Sequence, residues 1–123
     1  MRRTRVLVVI FAALAVVPAA AMAHRRATKP ERTAILAAVV RQHQLSKAQA
    51  GCQVVTISTA NQRYAKLAWP RKLSSACRRV AANGVIIEHR TRHGWRLVTV
   101  GSSFTCPIKG VPGAVARDLG VCS

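Results

Sequence analysis

The sequence predicts a small α+β domain: an N-terminal helix, a four-stranded antiparallel sheet made of two hairpins, and a short C-terminal helix, tied by two disulfides. Three observations point there. A stretch of helical periodicity is followed by segments of alternating polarity broken by turn residues. All four cysteines, Cys52, Cys77, Cys106 and Cys122, fall after that helical stretch, an even number in a short chain. A length of 123 residues allows one modest core and no second domain.

The first segment reads as a leader. Met1-Arg2-Arg3-Thr4-Arg5 is basic, residues 6–17 are apolar, and Pro18 precedes Ala21-Met22-Ala23. These are the parts of a secretory signal: a basic head, an apolar stretch too short to span a bilayer stably, and small residues at the cleavage site. Residues 1–23 are therefore expected to be removed between Ala23 and His24, leaving 24–123 as a single disulfide-bonded domain without a membrane span. The expected location is extracellular or associated with the cell envelope. Residues 24–27 are basic and expected to be loose.

Thr28-Lys29-Pro30-Glu31 has capping-box spacing, Pro30 is tolerated where amides have no intrahelical partner, and Ile35, Leu36, Val39 and Val40 recur at helical intervals. A helix is expected over 28–43. After Gly51, residues 52–59 alternate, with Val55 and Ile57 on one side and Thr56 and Ser58 on the other, as in a half-buried strand. Asn61-Gln62 signals a turn, and 64–69 would return with Ala65, Leu67 and Trp69 on the inner face. Pro70 ends that strand, and 71–82 has no period, so a loop carrying Cys77 is expected.

Residues 84–90 and 95–100 form the second hairpin through Thr91-Arg92-His93-Gly94, Gly94 supplying the positive-φ position of a short turn. Pro112 can open a last helix, with Val111, Val115 and Leu119 on one face and Gly120 as its stop. Helices gathered against an antiparallel sheet would give two layers.

Four cysteines allow three connectivities. Cys52 with Cys77 and Cys106 with Cys122 are favoured, because each pair brackets one local unit and neither crosses the other. Each loop would contribute about 3 kcal/mol through chain entropy. Structural zinc calls for close cysteine pairs, which this chain lacks, so no metal or other cofactor is expected. The pattern Gly94-Trp95, Leu97-Val98, Gly101-Ser102, Cys106, Val111-Pro112, Val115, Asp118-Leu119 and Cys122, over 84–122, resembles small exported proteins of unassigned function from high-GC Gram-positive bacteria. That resemblance brings no activity with it.

Charge directs the functional reading. The chain carries 20 Lys+Arg against 3 Asp+Glu. Without Arg2, Arg3 and Arg5 the balance is 17 against Glu31, Glu88 and Asp118, a net +14. Arg71, Lys72, Arg78, Arg79, Arg90, Arg92 and Arg96 cluster in sequence around the central loop and the second hairpin, a field that concentrates polyanions. The expected partner is an anionic polymer, an envelope surface or a protein; specific nucleic-acid recognition is not expected, and Trp69 and Trp95 are assigned to the core.

Catalysis is poorly provided for. Glu88, His89 and His93 could serve a small secreted ribonuclease, but Glu88 and His89 are adjacent and should point to opposite faces of the sheet. Ser58, Ser74, Ser75, Ser102 and Ser103 lie in no Gly-x-Ser-x-Gly elbow. His24 at a new N-terminus could chelate copper together with His43, His89 or His93, although a basic, unfolded start explains it as well. The expectation is a non-catalytic protein, with an inhibitor or toxin-like ligand presenting residues 91–94 as the alternative, and the ribonuclease as a further one.

Overall fold

A computed structural model describes residues 24–123, so the leader reading, on 1–23, lies outside the described residues. In chain order the elements are β1 (His24–Arg26), α1 (Lys29–Arg41), α2 (Lys47–Gly51), β2 (Val54–Ser58), β3 (Tyr64–Ala68), α3 (Ser75–Val80), β4 (Val85–Thr91), β5 (Gly94–Gly101) and α4 (Gly113–Asp118).

The helix expected near the N-terminus forms because both its ends are closed. Thr28 Oγ1 accepts from the Glu31 amide at 3.4 Å while the Thr28 amide donates to Glu31 Oε1 at 2.9 Å, the reciprocal box read from the sequence. At the other end His43 turns left-handed with φ 57°. Its amide donates to the Val40 carbonyl at 3.1 Å, and that of Gln44 to the Val39 carbonyl at 3.0 Å, a closure usually built on glycine.

The sheet is α+β in context but has five strands, not four. Its spatial order β1-β2-β3-β4-β5 follows the chain, and every neighbouring pair is antiparallel. The extra strand comes from the basic segment expected to be loose: His24 pairs with Ser58 and Arg26 with Thr56, and the Ala27 amide extends the ladder to the Val55 carbonyl at 3.0 Å. No apolar pattern announces it, because it rests on the backbone groups that β2 would otherwise leave open.

Strand alternation divides the interior in two. Val55, Ile57, Ala65, Leu67, Ile86 and Trp95 pack with Ile35, Ala38 and Val39 of α1. The intervening Tyr64 and Ile87 face the other way, onto Ile108, Val111, Val115 and Leu119. There are therefore three layers rather than two, because α4 and its approach cover the face opposite α1. This also explains why β2 is buried on both sides: Thr56 and Ser58 lie beneath the C-terminal layer.

Two further expectations are corrected. Residues 71–82 are not simply a loop, since α3 forms there. Its start is capped by Ser74, whose Oγ accepts from the Cys77 amide at 3.2 Å, and none of its residues is buried, so it has no apolar period to read. β3 ends at Ala68, so Trp69 lies one residue beyond the ladder and is half-buried instead of part of the core. The disulfides are Cys52–Cys77 and Cys106–Cys122, the favoured pairing. In the second hairpin Glu88 faces Leu97 and Ile87 faces Thr99, so Val98 is an extra residue that bends β5.

Candidate anion-binding surface

All three acidic side chains among the described residues are held within the fold. Glu31 makes a two-pronged ion pair with Arg25, at 2.7 and 2.9 Å, besides capping α1. The Arg25 guanidinium, working against burial and with help from Thr28, holds the Glu31 carboxyl at a pKa of about 2. Asp118, at the end of α4, accepts from Ser58 Oγ at 2.7 Å, the Thr59 amide at 2.7 Å, Thr59 Oγ1 at 3.0 Å and the Ala60 amide at 3.3 Å. Burial pushes that carboxyl up, but these hydrogen bonds together keep it below its ordinary value.

Glu88 is different in kind. It is 0% exposed, and neither carboxyl oxygen has a hydrogen-bond partner among the described residues. Burial raises its pKa to about 7, with neighbouring Gln44 and the positive charge of Arg96 opposing the shift. Gln44 Oε1 is itself buried without a partner. A protonated Glu88 is a donor where an ionised one has only acceptors to offer.

The seven basic residues singled out in the sequence are all exposed. The structure divides them into two groups. Arg71 and Lys72 follow β3, and Arg78 and Arg79 lie on α3, at the end of the sheet where Val85 pairs with Gly101. Arg90, Arg92 and Arg96 gather at the opposite end, around the turn where Thr91 pairs with Gly94. A strand of the length of β4 sets the groups roughly 20 Å apart, more than twice the ~8 Å screening length at physiological salt. They form two separate patches of exposed positive charge. Among the described residues Arg25–Glu31 is the one salt bridge, so neither patch is neutralised from within.

The candidate catalytic residues are not brought together. His89 stacks on Tyr64, ring centroids 4.3 Å apart and planes 10° apart, on the C-terminal side of the sheet, whereas Glu88 lies beside Gln44 on the α1 side. His24 Nδ1 lies 2.9 Å from the Asp118 carbonyl, His43 closes α1, and His93 Nε2 accepts from Arg92 Nε at 3.2 Å. Among the described residues no three His, Cys, Asp or Glu side chains converge on a common point. Ser58 is engaged by Asp118 and Ser74 by α3.

A feature the sequence reading missed lies beside the first basic patch. Trp69 forms part of the walls of two neighbouring open cavities, of about 570 and 140 Å³, which share Trp69, Ala82, Asn83 and Gly84. Leu73 and Ala81 extend the larger one; Gln49 and Gln53 extend the smaller. Trp69-Pro70 was the available signal, since a residue before proline leaves the ladder and its side chain need not stay inside. The wall is braced: Cys77 of α3 is tied to Cys52, and Gln49 Nε2 donates to the Val80 carbonyl at 3.2 Å. No helix among the described residues is long and apolar enough to cross a membrane. Comparison of the chain with protein-family models, with curated proteins and with solved structures finds no match.

Proposed function

We propose that this is an exported, non-catalytic protein that attaches electrostatically to an anionic partner at the cell envelope or outside the cell. The observation that carries this reading is the separation of charge signs. Glu31, Glu88 and Asp118 are absorbed by the fold, while Arg71, Lys72, Arg78, Arg79, Arg90, Arg92 and Arg96 face solvent. A partner with charges repeated over tens of ångströms meets both patches at once, and the two weak attachments reinforce each other. The basic, apolar and small-residue order of 1–23 supports export, and two disulfides are in keeping with an oxidising compartment.

The test is retention on a sulfonated resin and on a neutral resin of the same matrix. Retention on the first alone, falling steeply between 50 and 200 mM salt (order of magnitude), is expected; salt-indifferent behaviour refutes the reading.

A second reading is favoured by the β4–β5 turn. Thr91 Oγ1 accepts from the His93 amide and donates to the Gly94 carbonyl, both at 3.1 Å, which holds Arg92 and His93 outward on a fixed tip. Such a tip suits an inhibitor or toxin-like ligand of a secreted enzyme. Arg92→Glu then abolishes capture of one protein while retention on the sulfonated resin falls only slightly.

A further inference from the structure

We propose that the cavity pair around Trp69 is a binding site for an acidic saccharide, with the indole taking the apolar face of a sugar ring and the adjacent cations taking its acid groups. The site deepens the electrostatic reading above and rests on it. Four observations carry the inference beyond charge.

The larger cavity, at about 570 Å³, is in the range of small-molecule sites. Its wall is the chain between Trp69 and Val85, and the four cations of the first patch lie on that same stretch. Arg71 and Lys72 sit between the lining residues Trp69 and Leu73, and Arg78 and Arg79 between Leu73 and Ala81. None of the four lines the cavity; they are exposed and flank its lining residues in the chain.

The chemistry of the lining is mixed in a particular way. Trp69 is the one aromatic ring on either cavity among the described residues, and with it on the larger one stand the exposed Asn83 amide and Ser102 hydroxyl. A pyranose has C–H groups on a face and hydroxyls around its edge, so one apolar plate with such polar groups beside it complements it. A nucleobase, apolar on both faces, gains most from being stacked on two sides. Finally, the wall is preorganised, because Cys52–Cys77 and the Gln49 to Val80 hydrogen bond fix α3 to α2 before any ligand arrives.

The experiment uses the disulfide-bonded protein at low salt. Binding is followed by tryptophan fluorescence and by calorimetry, with three probes of matched charge: a galacturonate oligosaccharide, a ring-free polyphosphate, and a thymidine oligonucleotide. The oligosaccharide is expected to bind more tightly than the polyphosphate. Trp69→Ala is expected to weaken oligosaccharide binding about tenfold or more while leaving polyphosphate nearly unchanged, and Arg79→Gln to weaken both. Lys29→Gln, which removes one exposed charge far along the chain, serves as the control for net charge. Should Trp69→Ala not fold, Trp69→Phe and Asn83→Ala carry the same comparison. Equal binding of oligosaccharide and polyphosphate, both indifferent to Trp69, overturns the site and leaves the electrostatic reading standing. Failure of all three probes overturns both. Tighter binding of the oligonucleotide with the same dependence on Trp69 overturns the saccharide assignment.

Discussion

The two faces of the sheet are covered by unlike means. On one, α1 runs 13 residues, supplies Ile35, Ala38 and Val39 to the interior, and closes its own ends through Thr28, Glu31 and His43. On the other, α4 has six residues, and no side chain caps its start at Pro112. The sheet and the crosslink hold it instead: Asp118 is gripped by the β2–β3 turn, Lys66 Nζ donates to the Leu119 carbonyl at 2.6 Å, Tyr64 Oη donates to the Gly110 carbonyl at 3.4 Å, and Cys122 is tied to Cys106. A helix of about three turns with both ends closed needs packing on one face only, whereas one shorter than two turns also borrows its end contacts from partners distant in sequence.

The largest separation between the layers is expected from Cys106→Ser with Cys122→Ser. Opening a loop of 16 residues costs about 3 kcal/mol, and the loss should be local. Hydrogen exchange at Val115 and Leu119 is expected to rise by orders of magnitude while Ile35 and Val39 stay protected. Equal deprotection of both layers would show that the faces are one cooperative unit.

Glu88 is the weak point of the α1 side. Its carboxyl titrates near 7 when folded against 4.5 ordinarily, so the folded state holds the proton more tightly. Its stabilising share is complete below about 4.5 and is lost as pH rises through 7, a change of about 3 kcal/mol. Glu88→Gln is expected to flatten the denaturant midpoint between pH 5 and 8 and to raise stability at the alkaline end; an unaltered slope assigns the pH dependence elsewhere.

Asp118→Ala should cost about 2 kcal/mol, because it frees hydroxyl and amide donors that a charged acceptor now satisfies. The signature is faster exchange at the Thr59 and Ala60 amides. Glu31→Gln has the smallest effect, about 1 kcal/mol, because glutamine keeps the capping box and only the partly exposed ion pair with Arg25 is lost. Its pH window is opposite to that of Glu88. With a folded pKa of about 2, its contribution is complete above 4.5 and lost as pH falls toward 2. Thermal melts of the variant against wild type should converge only below about pH 2.

How much was legible follows the same division. Helix α1, the β4–β5 hairpin and both crosslinks were readable because their signals are local: a capping box, a glycine-ended turn, and pairs that bracket one unit each. β1 was not, since His24, Arg25 and Arg26 have no apolar pattern and take strand form only through β2. Nor was α3, which buries nothing and depends on Ser74 and Cys77. At the candidate surface, the identity and exposure of the seven cations could be anticipated. Their division into two patches could not, because it depends on the length of β4. The grip on Asp118 and the burial of Glu88 were also hidden, as Asp118 meets its donors about 60 residues away in the chain and Glu88 is enclosed only once α1 packs on the sheet.

Because each strand lies beside its predecessor and the two crosslinks span 25 and 16 residues without interleaving, every step of assembly joins what has just been made to what came before. A chain delivered from its N-terminus can close Cys52 to Cys77 before Cys106 has emerged, when no competing thiol is present. If the chain is exported in that order, as proposed above, order of arrival disfavours mispairing, and oxidation is expected to yield one isomer without catalysed reshuffling.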